Sequence, residues 1–88
     1  MRFETGQIVA TNGINNEMEK SVEFTEFVLG SLNRYLNCDW GDLCKEDKKL
    51  NDSAVKHNDD RIVARYESIY VITEWDRTVT TILFVDEY

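Results

Sequence analysis

The stretch IYVITEWDRTVTTILF, residues 69–84, decides the fold that this sequence predicts. β-Branched and aromatic side chains dominate both ends of the stretch, and the polar pair Asp76-Arg77 stands at its centre. This pattern is typical of two antiparallel strands joined by a tight turn. We therefore expect one strand from Ile69 to about Trp75 and a second strand from Thr78 to Val85.

The position of the turn sets the register of this hairpin. Side chains alternate between the two faces of a strand, so a shift by one residue would exchange the faces. With the turn centred on Asp76-Arg77, the predicted pairs on the first face are Val71–Ile82, Ile69–Phe84 and Thr73–Thr80. The predicted pairs on the second face are Tyr70–Leu83, Ile72–Thr81 and Glu74–Val79.

An amphipathic helix over residues 22–37 is the clearest element upstream of the hairpin. At about 100° per residue, its apolar side chains fill an arc of roughly 160°, while Glu23 and Glu26 lie on the opposite side. Ser21 is placed to cap the first turn. The side chains expected along the buried arc are Val22, Phe24, Val28, Leu29, Leu32, Tyr35 and Leu36, with Phe27 at its edge.

The remaining segments complete an α+β fold in the order β-α-α-β-β-β. The prediction is a four-stranded antiparallel sheet with the first strand at an edge and two helices packed on one face, in a single small domain over residues 1–88. The further predicted elements are a strand Gln7–Thr11 closed by the turn dipeptide Asn12-Gly13, a second helix from about Leu43 to His57, and a strand from Arg61 to Glu67.

Composition and charge limit the classes of function. The chain has 88 residues, 42% of them hydrophobic, which is enough for one small globular core. Its formal net charge of −7 would repel a nucleic-acid duplex or an anionic membrane, so we expect neither as a direct ligand. Met1–Gly6 lacks the apolar segment of a secretory signal. We therefore expect a cytoplasmic protein whose cysteines are reduced.

The candidates for nucleophilic or metal chemistry are Cys38, Cys44 and His57. The spacing of the two cysteines is not a standard zinc knuckle, and a fourth ligand would have to be Asp39 or Asp42. A cysteine nucleophile would need the single histidine as its base. The alternative is two small cysteines buried near a helix junction and an exposed histidine at a helix end. We predict no enzyme and no catalytic, cofactor-binding or metal-binding residue.

The acidic side chains support two interpretations. Paired carboxylates fall at predicted turns and helix starts, where capping explains them better than binding of Ca²⁺ or Mg²⁺. Glu19, Glu23 and Glu26 are expected to stack along the outer face of the first predicted helix. Such a stripe is typical of a solvated helix face, although it leaves open an imitation of nucleic-acid phosphates.

The second face of the hairpin is the candidate binding surface. If both helices cover the first face, the second face keeps an apolar set, and an exposed apolar face usually means that another chain covers it. The alternative is that strand curvature, Trp40 or Trp75 covers part of this face. The predicted residues for binding a protein partner, or a second copy in a homodimer, are Tyr70, Ile72, Val79, Leu83 and Val85.

Three stretches of the chain together resemble a known group of proteins. They are Gly6–Thr11, Asp39–Cys44 with Glu46-Asp47-Lys48, and Ile72–Phe84 with the closing pair Glu87-Tyr88. In them the chain resembles small plasmid-related proteins from mobile elements and genomes of Firmicutes, and the likeness spans nearly the whole chain. The chain departs from that pattern at Val85-Asp86, where those proteins tend to carry Pro-Glu. The resemblance implies a bacterial cytosol and an accessory role in mobile DNA, and it brings no activity and no functional residue.

These observations together favour a protein that works by contact rather than by catalysis. The predicted function is that of an accessory protein of a bacterial mobile element, which acts through protein–protein interaction and inhibits or modulates a host defence or transfer protein. The alternative is a small structural or ligand-binding homodimer.

Overall fold

The computed structural model describes residues 3–88. It contains the predicted first strand, the two predicted helices and the predicted hairpin. The predicted domain over 1–88 also includes Met1 and Arg2, which lie outside the described residues. The structure is α+β, with a four-stranded mixed sheet in the order β1–β4–β3–β2. The elements in chain order are β1 (Gln7–Ala10), α1 (Asn12–Lys20), α2 (Val22–Leu36), α3 (Lys45–His57), β2 (Ile62–Tyr66), β3 (Ile69–Thr73), β4 (Val79–Phe84) and a closing 3₁₀ turn (Val85–Glu87).

The predicted register of the β3–β4 hairpin is confirmed. Val71 pairs with Ile82 and Tyr70 with Leu83, together with the other predicted partners along both strands. The sixth predicted pair is joined by a hydrogen bond of 3.0 Å from the Glu74 amide to the Val79 carbonyl. The turn is longer than the prediction, because β3 ends at Thr73 and β4 begins at Val79.

The predicted antiparallel sheet is wrong at its first strand. β1 pairs in parallel with β4, with Gln7 opposite Val79 and Ala10 opposite Ile82. The reason is topological. The helical segment returns the chain to the end of the sheet where β1 starts, so β2 runs in the direction of β1, and after two hairpin reversals β4 does so too.

The prediction of two helices is also wrong, because Asn12-Gly13 opens a third helix, α1, rather than a turn. Thr11 caps this helix by accepting a hydrogen bond from the Ile14 amide at 3.3 Å. The Thr11 hydroxyl in turn donates to Glu87 Oε1 at 2.8 Å, which brings an acid to the positive end of the helix. A Cβ atom on Gly13 would lie 2.8 Å from Glu87 Oε2, so glycine leaves room for that carboxylate.

The long central helix agrees with the prediction and the following helix begins later than predicted. α2 spans Val22–Leu36, and the Ser21 hydroxyl accepts a hydrogen bond from the Phe24 amide at 3.1 Å. α3 starts at Lys45 instead of near Leu43. The helices and the first face of the sheet enclose the core. Its most buried apolar residues, each at most 5% exposed, are Ile14, Val28, Tyr35, Trp40, Ala54, Ile62, Ala64, Tyr66, Ile69, Val71 and Ile82.

A chain of buried hydroxyl groups crosses this core. The Tyr35 hydroxyl lies 2.6 Å from Thr73 Oγ1, which lies 2.7 Å from Thr80 Oγ1. The Thr80 hydroxyl donates to the Thr5 carbonyl at 2.7 Å. Each hydroxyl can therefore donate to the next, so the helix, two strands and the N-terminal segment share one satisfied network. Burial holds the pKa of Tyr35 above its usual range.

Thr73→Val is expected to lower the free energy of unfolding by about 1–3 kcal/mol, because it leaves the Tyr35 and Thr80 hydroxyls buried without their shared partner. Urea denaturation measures this loss. The matched control is Thr81→Val. Thr81 follows Thr80 on β4 and is half-buried on the second face of the sheet, so we expect the free energy of unfolding to change by no more than about 0.5 kcal/mol. Equal losses in the two variants would contradict a stabilising role for the network.

Candidate interaction surfaces

Four of the five predicted partner-binding residues lie on β3 and β4, on the sheet face that faces away from the core, namely Tyr70, Ile72, Val79 and Leu83. Val85 was expected in the last strand but lies in the 3₁₀ turn that follows β4. The residues that the helices bury, such as Val71 and Ile82, belong to the opposite face. The five predicted residues differ in how exposed their side chains are. Tyr70, Val79 and Val85 are half-buried, whereas Ile72 is 5% exposed and Leu83 is 9% exposed. A partner on this face would therefore touch the first three side chains and leave the other two beneath them.

The C-terminal residue Tyr88 covers part of this face. Its ring packs edge-on against Tyr70, with 5.5 Å between the ring centroids. Its hydroxyl accepts a hydrogen bond of 2.7 Å from Arg61 Nη2. The two tryptophans considered for this role lie elsewhere. Trp40 is buried against Tyr35 in the core, and Trp75 is exposed near the hairpin turn.

The thiols and the histidine occupy separate positions in the structure. Cys38 is half-buried just after α2, Cys44 is exposed at the N-cap of α3, and His57 is exposed at the end of that helix. Burial raises the pKa of the Cys38 thiol, which disfavours the nucleophilic thiolate. Within residues 3–88, no group of three or more His, Cys, Asp and Glu side chains is placed to hold a metal ion.

The segment Asp39–Asp42, which carries part of the family resemblance, has structural contacts at each position. Asp39 accepts a hydrogen bond of 2.8 Å from Arg34, which lowers the pKa of the Asp39 carboxyl, and its carbonyl accepts one of 2.6 Å from the Tyr66 hydroxyl. The Trp40 indole donates to Asp52 at 2.9 Å. These contacts join the end of α2 to β2 and α3, so the motif is explained by architecture.

The predicted acidic stripe is divided between two helices. Glu19 belongs to α1, whereas Glu23 and Glu26 belong to α2. Ser21 separates the helices with an extended backbone, so the three carboxylates do not stack on one helix as predicted. All three side chains are exposed, as on an ordinary solvated surface.

The outer edge of β2 is closed by side chains from outside the sheet. The Asn51 side chain donates to the Val63 carbonyl at 2.8 Å and accepts from the Val63 amide at 3.3 Å, as a neighbouring strand would. The Asp42 amide donates to the Arg65 carbonyl at 2.7 Å, and its carboxylate accepts from the Glu67 amide at 2.8 Å. This edge is therefore not available to another strand.

The outer edge of β1 is open. The Gln7 amide donates to the carbonyl of Thr78, just before β4, and the Thr11 amide donates to the Ile82 carbonyl of β4, both at 3.0 Å. The alternating pattern therefore turns the amide and carbonyl of Ile8 away from the sheet. Among residues 3–88, no strand pairs with this edge. The Asn15 side chain donates a hydrogen bond of 3.4 Å to the carbonyl of Ala10, the last residue of β1, so one of the outward groups of this edge has a partner.

An apolar groove runs beside this open edge, between β1 and α2. Its volume is about 470 Å³, and its lining includes Ile8, Met18, Leu29 and Leu32. The prediction that Val22, Leu29 and Leu36 are buried is wrong, since they are 74%, 56% and 40% exposed. The apolar arc of α2 is wider than the strip that one sheet can cover. The seven-residue spacing of these three residues was the signal that could have marked them as a separate stripe.

Comparison with protein-family models, with curated proteins and with solved structures finds no match to this chain. In the part of the chain that the structure describes, no helix combines the length and the apolar character needed to cross a membrane.

Proposed function

We propose that this chain is a non-enzymatic protein that binds another protein through the sheet face carrying Tyr70 and Val79, together with Val85 in the 3₁₀ turn that follows β4. The observation that supports this proposal is that the helices pack against the other face, which leaves these three apolar side chains half-buried. Removing half-buried apolar side chains from water lowers the free energy, so a sheet face that no helix covers favours binding of a second surface.

The composition of this face fits protein binding. Tyr70 and Tyr88 pack together, and the Arg61 guanidinium carbon lies 5.9 Å from the centre of the Tyr88 ring. Tyrosine and arginine are among the residue types that are enriched at the energetically dominant positions of protein interfaces. Ile72 and Leu83, on the same sheet face, are buried apolar side chains with 5% and 9% of their surface exposed.

The biological part of the proposal rests on the resemblance to plasmid-related proteins of Firmicutes. We propose that the partner is a host defence or transfer protein, and that binding serves a mobile element by inhibiting or modulating that protein in the cytoplasm. The net charge of −7 favours a partner with a basic surface, since opposite charges steer association.

Capture from a Firmicutes cytosolic lysate, with bound proteins identified by mass spectrometry, tests the proposal. We expect wild type to enrich a specific protein, and Val79→Lys to reduce its capture at least about tenfold, because a charge replaces an apolar contact within the face. The control is Leu29→Lys, which places the same charge on the opposite, α2 surface and should capture the protein normally. Equal capture by wild type and Val79→Lys, or no specific protein at all, would contradict this role.

A second copy of the chain on this same face is the alternative occupant, as in a small structural or ligand-binding homodimer. The same apolar side chains favour it, because an isologous dimer needs only one self-complementary patch. Self-association that Val79→Lys abolishes and Leu29→Lys leaves intact would support this alternative.

A further inference from the structure

We propose that the Tyr88 side chain is a displaceable cover over Tyr70, and that a protein binding to the sheet face must move this cover aside. The first part of the inference concerns an equilibrium within the chain. In the closed form the two rings pack together, and in the open form the Tyr88 side chain has swung into solvent. The second part rests on the function proposed above, since it concerns a partner of the same face.

The first argument is the position of the cover. The Tyr88 ring stands edge-on to the Tyr70 ring, with 5.5 Å between the ring centroids and 70° between the ring planes. This is a favourable arrangement for two aromatic side chains. A partner side chain that packs on the same part of the Tyr70 ring cannot bind until Tyr88 leaves, so the two compete for one position.

The second argument is that the contacts holding the cover are exposed. Within residues 3–88, the Tyr88 side chain makes one hydrogen bond, which its hydroxyl accepts from Arg61 Nη2 at 2.7 Å. The Arg61 guanidinium carbon also lies 5.9 Å from the centre of the Tyr88 ring. Both side chains are exposed, and the exposed fraction of Tyr88 is 61%. Because water replaces an exposed hydrogen bond when it breaks, opening the cover costs little free energy.

The third argument is that the turn before Tyr88 is held independently of the cover. Glu87 Oε1 accepts hydrogen bonds from the Phe84 amide at 2.7 Å and from the Thr11 hydroxyl at 2.8 Å. Neither contact involves the Tyr88 side chain. Rotation about the side-chain bonds of Tyr88 therefore opens the cover while the turn stays in place.

The closed form reduces binding in a predictable way. When most molecules are closed, the apparent dissociation constant of a partner rises in inverse proportion to the open fraction. Weakening the contact between Arg61 and Tyr88 should therefore raise the open fraction and tighten binding by the same factor. For the loss of one exposed hydrogen bond, we expect a factor of about three.

The Tyr70 ring-proton signals in NMR spectra of the full chain test the equilibrium, because a neighbouring aromatic ring shifts them. Tyr88→Ala gives the position of these signals in the open form. Arg61→Met removes the hydrogen bond and keeps both rings, so we expect it to move the signals towards that position as the open fraction rises about threefold. Tyr88→Phe, which also lacks the hydrogen bond, should move them in the same direction.

Lys56→Met is the control, because Lys56 is an exposed residue of α3 and takes no part in the contacts that hold Tyr88. Its Tyr70 signals should coincide with those of wild type, and circular dichroism checks that each variant is folded. Signals that stay at the wild-type position in both Arg61→Met and Tyr88→Phe would overturn the inference. Wild-type signals that already coincide with those of Tyr88→Ala would overturn it too.

The affinity of a protein captured by wild type tests the second part. Tyr88→Ala should bind that protein at least about threefold more tightly than wild type, because no closed form remains. Equal or weaker binding would show that Tyr88 belongs to the binding surface instead of covering it, and would overturn this part. If no protein is captured, the second part fails together with the proposed function, and the NMR signals still decide the first.

Discussion

Gly41→Ala is expected to lower the free energy of unfolding by about 3 kcal/mol or more. Gly41 has a φ of +74°, in the left-handed region, which costs other residues about 1–2 kcal/mol. A Cβ atom there would also overlap the Arg65 carbonyl oxygen and lie 2.7 Å from a ring carbon of Tyr66. Both neighbours belong to β2, so the clash cannot be relieved without moving the strand away from the loop.

Gly30→Ala is the matched control for this prediction. Gly30 lies inside α2, and apart from the helix's own neighbouring backbone no atom lies within 4 Å of the position that a Cβ would take. Alanine has the higher helix propensity, so we expect this variant to gain roughly 0.5–1 kcal/mol. Urea denaturation measures both variants. Changes of the same sign and size would mean that the close approach of Gly41 to β2 does not contribute to stability.

Arg77→Met is expected to cost about 3–4 kcal/mol of stability, the second large effect. Arg77 is only 6% exposed. Its Nη1 donates to the carbonyls of Asp60 at 2.6 Å and of Glu74 and Trp75 at 3.1 Å, and its Nη2 donates to the Ala54 carbonyl at 3.0 Å. The guanidinium thus joins the hairpin turn to the end of α3, and methionine would leave these acceptors without their donor.

Arg65→Met is the control for the Arg77 variant. Arg65 is exposed on β2, and its side chain donates to the Glu67 carbonyl at 3.0 Å. Losing one exposed hydrogen bond should cost no more than about 1 kcal/mol. Thermal unfolding followed by circular dichroism compares the two. A midpoint for Arg77→Met that equals that for Arg65→Met would show that the buried guanidinium is dispensable.

The hairpin and the central helix could be predicted because their signals are local. Alternation on both sides of Asp76-Arg77 set the register, and Ser21 followed by an apolar period set the start of α2. The candidate sheet face followed directly from that register. Its partial cover by Tyr88 could not be predicted, because no pattern within the chain shows that the last residue returns to Tyr70 and Arg61.

The predictions that were wrong concern segments in which a contact with a distant part of the chain outweighs the local sequence preference. Asn12-Gly13 is a strong turn dipeptide, yet Glu87 from the other end of the chain supports a helix there. The apolar arc of α2 correctly indicated an amphipathic helix, but only packing showed which part of the arc the sheet covers. Val28 and Tyr35 are buried, whereas Leu29 and Leu36 form the exposed stripe.

The sequence by itself determined the α+β class, the hairpin register and the helix that Ser21 caps, because periodicity and capping act over a few neighbouring residues. The tertiary structure alone decided the parallel pairing of β1, the side-chain closure of the β2 edge by Asn51, and the opening of the β1 edge. These features depend on which segments meet in space. Hydrogen-bonding groups far apart in the chain find or lack partners only once the chain has folded.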